Sequence, residues 1–188
     1  MYLITALGNY GEKYATTRHN AGWLVLDEVL GDVDWGYSKY ADADYFHDAI
    51  GEQAVEYLKP HTMMNLSGNA VKYAVNKHEL SSDQVIVIHD DLAIPMGEIK
   101  ISYNRGSAEH NGVESVTQAL GTKAYTRIRI GIGDRGLIPL KSYVLMKFSE
   151  EELNQLKELA SQVKKAITLI VSDGVEKAMN IINERQSD

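Results

Sequence analysis

The sequence predicts an α/β fold, a mixed, twisted β-sheet with helices on both faces. Three observations carry this. Short β-rich runs alternate with helical patterns along the chain. Two of the runs are separated by a glycine-bearing turn, which makes a hairpin and argues against an all-parallel sheet. The last forty residues keep a helical spacing throughout. In chain order, Tyr2–Leu7 is an apolar run closed by Gly8 and reads as a buried first strand, and Asn20–Leu30 follows as a helix. Tyr45–Ile50 and Ala54–Leu58 flank Gly51-Glu52-Gln53 as the antiparallel hairpin. Leu66, Ala70, Tyr73 and Ala74 fall on one face of a helix beginning at Leu66. Gln84–His89, with Val85-Ile86-Val87-Ile88 at its centre, is a buried strand, and Glu98–Tyr103 alternates like an edge strand. Arg127–Gly133 sends Ile128, Ile130 and Ile132 to one face. Leu153, Leu156, Ala160, Val163, Ile167 and Ile170 mark a long helix, started by a Ser149–Glu152 capping box. A final helix runs from Val175 to about Glu184, after the Asp173-Gly174 break.

A chain of 188 residues can bury one good core, so residues 1–188 are expected to form a single domain. No apolar run reaches the 18 residues of a membrane span. The N-terminus lacks a basic stretch and enters a strand directly, which excludes a signal peptide, and the cytoplasm is the expected location. With no cysteine, disulfides, thiolate zinc sites and a thiol nucleophile are excluded. The net charge of -7 is distributed unevenly. Residues 1–96 carry six basic and fourteen acidic side chains, residues 97–147 eight and four, and residues 148–188 five and eight. The basic middle segment holds Lys100, Arg105, Lys123, Arg127 and Arg129, enough for a local phosphate-facing patch on an acidic protein.

Functional groups of open α/β sheets collect beyond the carboxyl ends of the strands. After the first strand come Asn9, Tyr14, Arg18, His19 and Asn20; after the second buried strand, His89, Asp90 and Asp91; after Tyr103, Asn104, Arg105, His110 and Asn111; and Asn65 precedes a helix. This set offers no thiol and no evident serine nucleophile. It suits attack by water on an ester, with a histidine as base, a carboxylate fixing its tautomer, and amides holding water or carbonyl. An ester needs no metal for this, because its alkoxide leaves readily. Singly, each residue has an ordinary alternative: a structural His19, a turn at Asp90-Asp91 or at Asn9, an N-cap at Asn65. A metal set of His89, Asp90, Asp91 and His110 lacks any HExxH spacing to support it.

Together the residues are far more specific. Leu7-Gly8-Asn9-Tyr10-Gly11-Glu12-Lys13-Tyr14-Ala15-Thr16-Thr17-Arg18-His19-Asn20-Ala21-Gly22 closely resembles the N-terminal motif of bacterial-type peptidyl-tRNA hydrolases. Four further blocks match in order: Leu58-Lys59-Pro60-His61-Thr62-Met63-Met64-Asn65-Leu66-Ser67-Gly68, then His89-Asp90-Asp91-Leu92 with Pro95-Met96-Gly97, then Gly106-Ser107-Ala108-Glu109-His110-Asn111-Gly112, then Arg127-Ile128-Arg129-Ile130-Gly131-Ile132-Gly133. The resemblance spans essentially the whole chain. It implies a cofactor-free, metal-free, monomeric enzyme that cleaves peptidyl-tRNA. In it His19 would be the general base, Asp90 its partner, and Asn9 the group that distinguishes N-blocked from free aminoacyl-tRNA. Asn65 and Asn111 would bind substrate and place the water, Tyr14 would line the groove for peptide and acceptor end, and Met63 would stand at the tRNA-contacting position; the charge pattern adds Lys100, Arg105 and Arg129 as expected tRNA contacts. The alternative is a non-catalytic RNA-binding relative, which would have lost His19 or Asp90.

Four positions depart from the family pattern. Tyr10 stands where the family usually has proline, so the backbone after Asn9 is not pre-set. Met63 replaces an aromatic residue, and Arg105 and Glu109 replace glycines, which removes backbone freedom from that loop.

Overall fold

The computed structural model describes residues 1–184. Seven strands form one sheet: β1 Tyr2–Ala6, β2 Gly36–Ser38, β3 Ala43–Ile50, β4 Gln53–Pro60, β5 Val85–Asp91, β6 Ile99–Tyr103 and β7 Thr126–Gly131. Their order is β2-β3-β4-β1-β5-β7-β6. The four central strands β4, β1, β5 and β7 are parallel, and antiparallel pairs β2–β3, β3–β4 and β6–β7 finish both sides. The sheet is mixed, as expected, with the hairpin at β3–β4 and β6 at an edge. Residues 185–188 of the expected domain lie outside the described residues.

The six α-helices are α1 Ala21–Leu30, α2 Ser67–Lys77, α3 Asn111–Leu120, α4 Leu140–Val144, α5 Glu150–Asp173 and α6 Val175–Glu184. The long helix α5 starts at the expected capping box, with Ser149 Oγ accepting from the Glu152 N–H and Glu152 returning a bond to the Ser149 N–H. Alternate strand residues feed two apolar cores. Ile4, Ile86, Ile88, Ile128, Ile130 and Ile132 pack with α1, α5 and α6, and Leu3, Leu58, Val85, Val87 and Tyr125 pack with α2 and α3. Each isoleucine or leucine sealed this way contributes roughly 1.5–3 kcal/mol.

Helix entry is set by close approach. A Cβ on Gly22 would lie 2.7 Å from the Ile88 carbonyl oxygen and 2.8 Å from that of Leu7, so α1 can rest on the ends of β1 and β5 only with glycine there.

The structure corrects four local expectations. Asp90 and Asp91 are the last two residues of β5 rather than a turn beyond it, because they continue the register with β7 opposite Ile130 and Gly131. Leu66 is 48% exposed and precedes α2, so it does not belong to that helix's buried face. Asn65 caps nothing: it sits inside a 3-10 turn, Met64–Leu66, with no capping bond. Helices α3 and α4 were not anticipated. Helix α3 begins with Asn-Gly, which reads as a turn, and α4 has only five residues.

Candidate active site

His19 lies in a 3-10 turn, Arg18–Asn20, that runs directly into α1. The turn is held from a distant part of the chain. Thr17 bridges Lys147, the Arg18 N–H donates to the Met146 carbonyl at 2.9 Å, and the Phe148 N–H donates to that of Thr16 at 2.9 Å. The Arg18 guanidinium bonds Glu152 at 2.7 Å and lies 4.7 and 5.0 Å from the ring centroids of Tyr143 and Phe148. Burial would raise the Glu152 carboxyl, but the Ser149 N–H and Arg18 outweigh it and hold it below its ordinary range.

From there His19 reaches Asp90 at the end of β5. His19 Nδ1 lies 3.0 Å from both Asp90 oxygens, and His110 Nε2 lies 2.9 Å from Oδ1. The tautomers follow. His110 is the N-cap of α3, and its Nδ1 accepts the Gly112 and Val113 N–H groups at 3.1 and 3.2 Å, so its proton sits on Nε2 and is donated to Asp90. His19 gives Asp90 its Nδ1–H, leaving Nε2 as a lone pair with no partner among the described residues. Burial opposes charge on both His19 and Asp90. It would lower the His19 pKa, but the Asp90 charge and hydrogen bond prevail and raise it. Burial would likewise raise Asp90, yet His19 and His110 hold it well below its ordinary value.

Behind this chain lies His89, fully buried and donating Nδ1–H to the Asp90 carbonyl at 2.7 Å. Burial, the neighbouring His110 and Arg127 push its pKa down to about 3 against the pull of Asp90, so it stays neutral at physiological pH. His89, Arg129 and Lys100 share one cross-strand row on β5, β7 and β6. Arg129 is buried and donates Nε–H to Asp91 at 2.8 Å, while Lys100 is half-buried and Arg105 exposed. Arg127, also buried, holds the 104–110 loop by donating to the Gly106 carbonyl at 3.0 Å.

The Asn9 side chain is oriented by its neighbours. Its Oδ1 accepts the Met64 N–H at 2.8 Å, and its backbone exchanges hydrogen bonds with the Asn20 amide at 2.9 and 3.0 Å. The Asn9 NH₂ is thereby left to point elsewhere, and Asn9 is tied to the residue after His19. Tyr10, standing where the family usually has proline, stacks on His61 with centroids 4.1 Å apart, and Tyr37 stacks on the same imidazole at 5.2 Å. Met63 and Asn65 are exposed on the segment that supplies the Met64 N–H, and Asn111 is exposed as the first residue of α3. Gly112 brings these last two segments together, since a Cβ there would lie 2.4 Å from Met64 Sδ.

A cavity of about 270 Å³ opens at the histidine pair. It is lined by His19, Asp90 and Asn111, by the loops around Leu92 and Glu109, and by Leu140, Lys141 and Val144 of α4. Of the residues expected at the site, Asn9, Tyr14, Met63, Asn65, Lys100, Arg105 and Arg129 do not line it. Tyr14 instead offers its carbonyl to Thr17, bracing the approach to His19. Sequence reasoning placed His110 among the groups beyond the strands but gave it no role beside Asp90, and it did not find the clamp of Arg18 on Glu152, whose partners are 134 residues apart.

His19, Asp90 and His110 could present one ligand atom each to a metal ion. The His110 arrangement disfavours it: ligation at Nε2 would move the proton to Nδ1 and break the α3 cap. The neighbouring loop carries backbone strain. Asn104, Ala108 and Glu109 have φ of 50°, 50° and 64°, a region costing an L-residue about 1–2 kcal/mol. Glu109→Gly relieves that strain while adding only about 0.4–1 kcal/mol of unfolded-state entropy. It is expected to stabilise the fold by up to ~1 kcal/mol, read from the urea midpoint at unchanged m-value.

The chain matches known proteins in both sequence and fold. The family model described as peptidyl-tRNA hydrolase matches residues 3–188. The peptidyl-tRNA hydrolase of Thermodesulfovibrio yellowstonii is 41% identical over 185 residues, covering 97% of this chain and 99% of that protein. The one from Thermotoga maritima is 41% identical over 182 residues, covering 96% of each. A crystal structure of peptidyl-tRNA hydrolase from Acinetobacter baumannii superposes with a TM-score of 0.88 at 29% identity, covering 97% of this chain and 94% of that one. A match of this extent, in sequence and in fold, makes the chain a member of the peptidyl-tRNA hydrolase family.

Proposed function

We propose that this chain hydrolyses the ester joining a peptide, or an N-blocked amino acid, to the 3'-terminal ribose of tRNA. The observation that carries this is the His19–Asp90–His110 chain at the cavity, with His19 Nε2 unengaged by protein. Water bound at Nε2 loses a proton to the imidazole as its oxygen attacks the ester carbonyl. The resulting imidazolium is stabilised by Asp90, a positioning residue that acts through His19. Collapse of the tetrahedral intermediate breaks the bond to the ribose oxygen, which takes the proton back from His19. Asn111, which lines the cavity, and Asn65, exposed next to the Met64 that packs against Gly112, are suited to hold the carbonyl and the water. The same reading makes the enzyme a cytoplasmic monomer whose reaction uses no metal and which acts as one domain over residues 1–188.

Discrimination follows from the locked Asn9 amide. With Oδ1 committed to Met64, Asn9 presents N–H donors, which suit the carbonyl of a blocked amino group and repel a free ammonium. Asn9→Ala is expected to narrow the kcat/KM ratio between N-blocked and free aminoacyl-tRNA by roughly tenfold, the worth of about one hydrogen bond. Equal losses on both substrates would refute this role.

Phosphate contacts fall to Lys100 and Arg105, with Tyr14 and Met63 beside the path of peptide and acceptor end. Arg129, paired with Asp91, stiffens the row from beneath. Lys100→Glu with Arg105→Glu is expected to raise KM and lower the salt slope of binding by about one per lost phosphate contact. Arg129 is left intact in that test, because reversal would bury two like charges.

The direct test is release of a labelled acyl group from N-blocked aminoacyl-tRNA in EDTA. Turnover insensitive to chelator supports the proposal. Retained tRNA binding without turnover would favour the non-catalytic relative instead.

A further inference from the structure

We propose that His47, Glu56 and His78 form a binding site for a divalent transition-metal ion, zinc foremost, which staples the β3–β4 hairpin to the C-terminal end of α2. The three residues come from three elements. His47 on β3 stands directly opposite Glu56 on β4, and His78 caps the C-terminus of α2. Both imidazoles aim Nε2 at one carboxylate oxygen, His47 at 2.7 Å and His78 at 2.9 Å from Glu56 Oε2. Their rings meet nearly edge to face at 88°, as two ligands converging on one point do. The three ligand atoms lie within 4.8 Å of one another. None of the three residues lines the catalytic cavity.

The donor chemistry fits zinc, which takes imidazole nitrogen at about 2.0–2.1 Å and carboxylate oxygen at about 2.0–2.2 Å. Tetrahedral ligation at those lengths spaces the donors roughly 3.3 Å apart. Each His–Glu separation therefore needs to open by about half an ångström, and the half-exposed His47 ring and the helix-end His78 are free to give it. In contrast to His110, neither Nδ1 has a hydrogen-bond partner among the described residues. Each can carry its proton into water while Nε2 ligates. Glu56 is only 2% exposed, so its charge is costly unless compensated. The nearest cation, Lys77 Nζ, lies 3.5 Å from Oε2 on a 43% exposed side chain that can swing into solvent when an ion arrives. The acidic balance of residues 1–96 attracts cations to this part of the surface.

The test uses the full chain, stripped with chelator and dialysed, and titrated with zinc by calorimetry and with cobalt by visible absorption. One zinc per chain is expected, with a tetrahedral cobalt spectrum and a raised thermal midpoint. In the double variant His47→Gln, His78→Gln, zinc affinity should fall at least tenfold and the midpoint should no longer respond to zinc. Release of acyl groups from N-blocked aminoacyl-tRNA should stay within twofold of wild type in both proteins, with and without zinc. Undiminished affinity in the folded double variant would overturn the proposal by placing the ion elsewhere, at His19–Asp90–His110 if turnover then fell with zinc. Failure of the wild type to take up zinc at 100-fold molar excess would overturn it too, leaving a hydrogen-bonded brace.

Discussion

Replacing His19 by alanine is expected to lower kcat on peptidyl-tRNA by about 10²–10⁴-fold, the usual contribution of a positioned general base. No second group is placed to substitute. His110 donates its Nε2 proton to Asp90 and uses Nδ1 to cap α3, and His89 is sealed behind Asp90. Binding should persist, because the proposed phosphate contacts lie on β6 and its following loop. KM should therefore move far less than kcat. The fold should survive as well: the turn around His19 is held by the Thr16–Arg18 pairing with Met146–Phe148 and by the Arg18–Glu152 ion pair. A variant that kept near-full turnover, measured by acyl release, would remove His19 from the mechanism.

Asp90→Asn is the second large effect, about 10²–10⁴-fold in kcat, by a different route. Asparagine offers a carbonyl and an NH₂ to two imidazoles that both donate. If the NH₂ faces His19, Nδ1 becomes an acceptor, the proton moves to Nε2, and the base is lost. The pH profile separates this from simple disruption. With burial overcome by Asp90, the His19 pKa lies above its ordinary value of 6.5, so activity should rise with pH along a limb centred above 6.5. Without the carboxylate, burial acts alone and the limb should shift below that of wild type. A profile unchanged in position would exclude Asp90 as the group that sets the base.

The same shifts govern stability with opposite signs. The raised His19 pKa contributes stability that is full below pH 6.5 and is lost as pH rises through its folded value. Asp90 contributes above its ordinary 3.8 and loses that contribution as pH falls toward its lower folded value. His89, buried as the neutral ring, costs stability as pH drops from 6.5 toward about 3, where the unfolded chain binds a proton that the folded one refuses.

Six of the seven strands were legible because they obey local rules, whereas β2, three residues at an edge, gave no such pattern. Val85–Ile88 is an uninterrupted apolar run, the Gly51 turn announces the hairpin, and the Ser149–Glu152 box marks a helix start by side-chain chemistry alone. What escaped is what neighbours decide. Helix α3 gains its first turn from a histidine cap instead of the usual serine or aspartate, and from Gly112 fitting under Met64. The membership of His19, Asp90 and Asn9 in one set came from motif resemblance, and their spatial reason came only from the fold. The concern that Tyr10 would loosen Asn9 could not be weighed in one dimension, because the His61 ring that Tyr10 stacks on lies on another segment.

The clamp on the His19 turn gives the site a particular place in the chain's own history. The His19–Asp90 pair closes across 71 residues, and Arg18 meets Glu152 across 134. Loops of that length close late, after local helices and the hairpin have formed. During synthesis the first half of the molecule can emerge and take up structure while its base is still unsecured. The catalytic geometry becomes available only when the segment after Lys141 arrives, so the last quarter of the chain acts as a completion signal written into the fold.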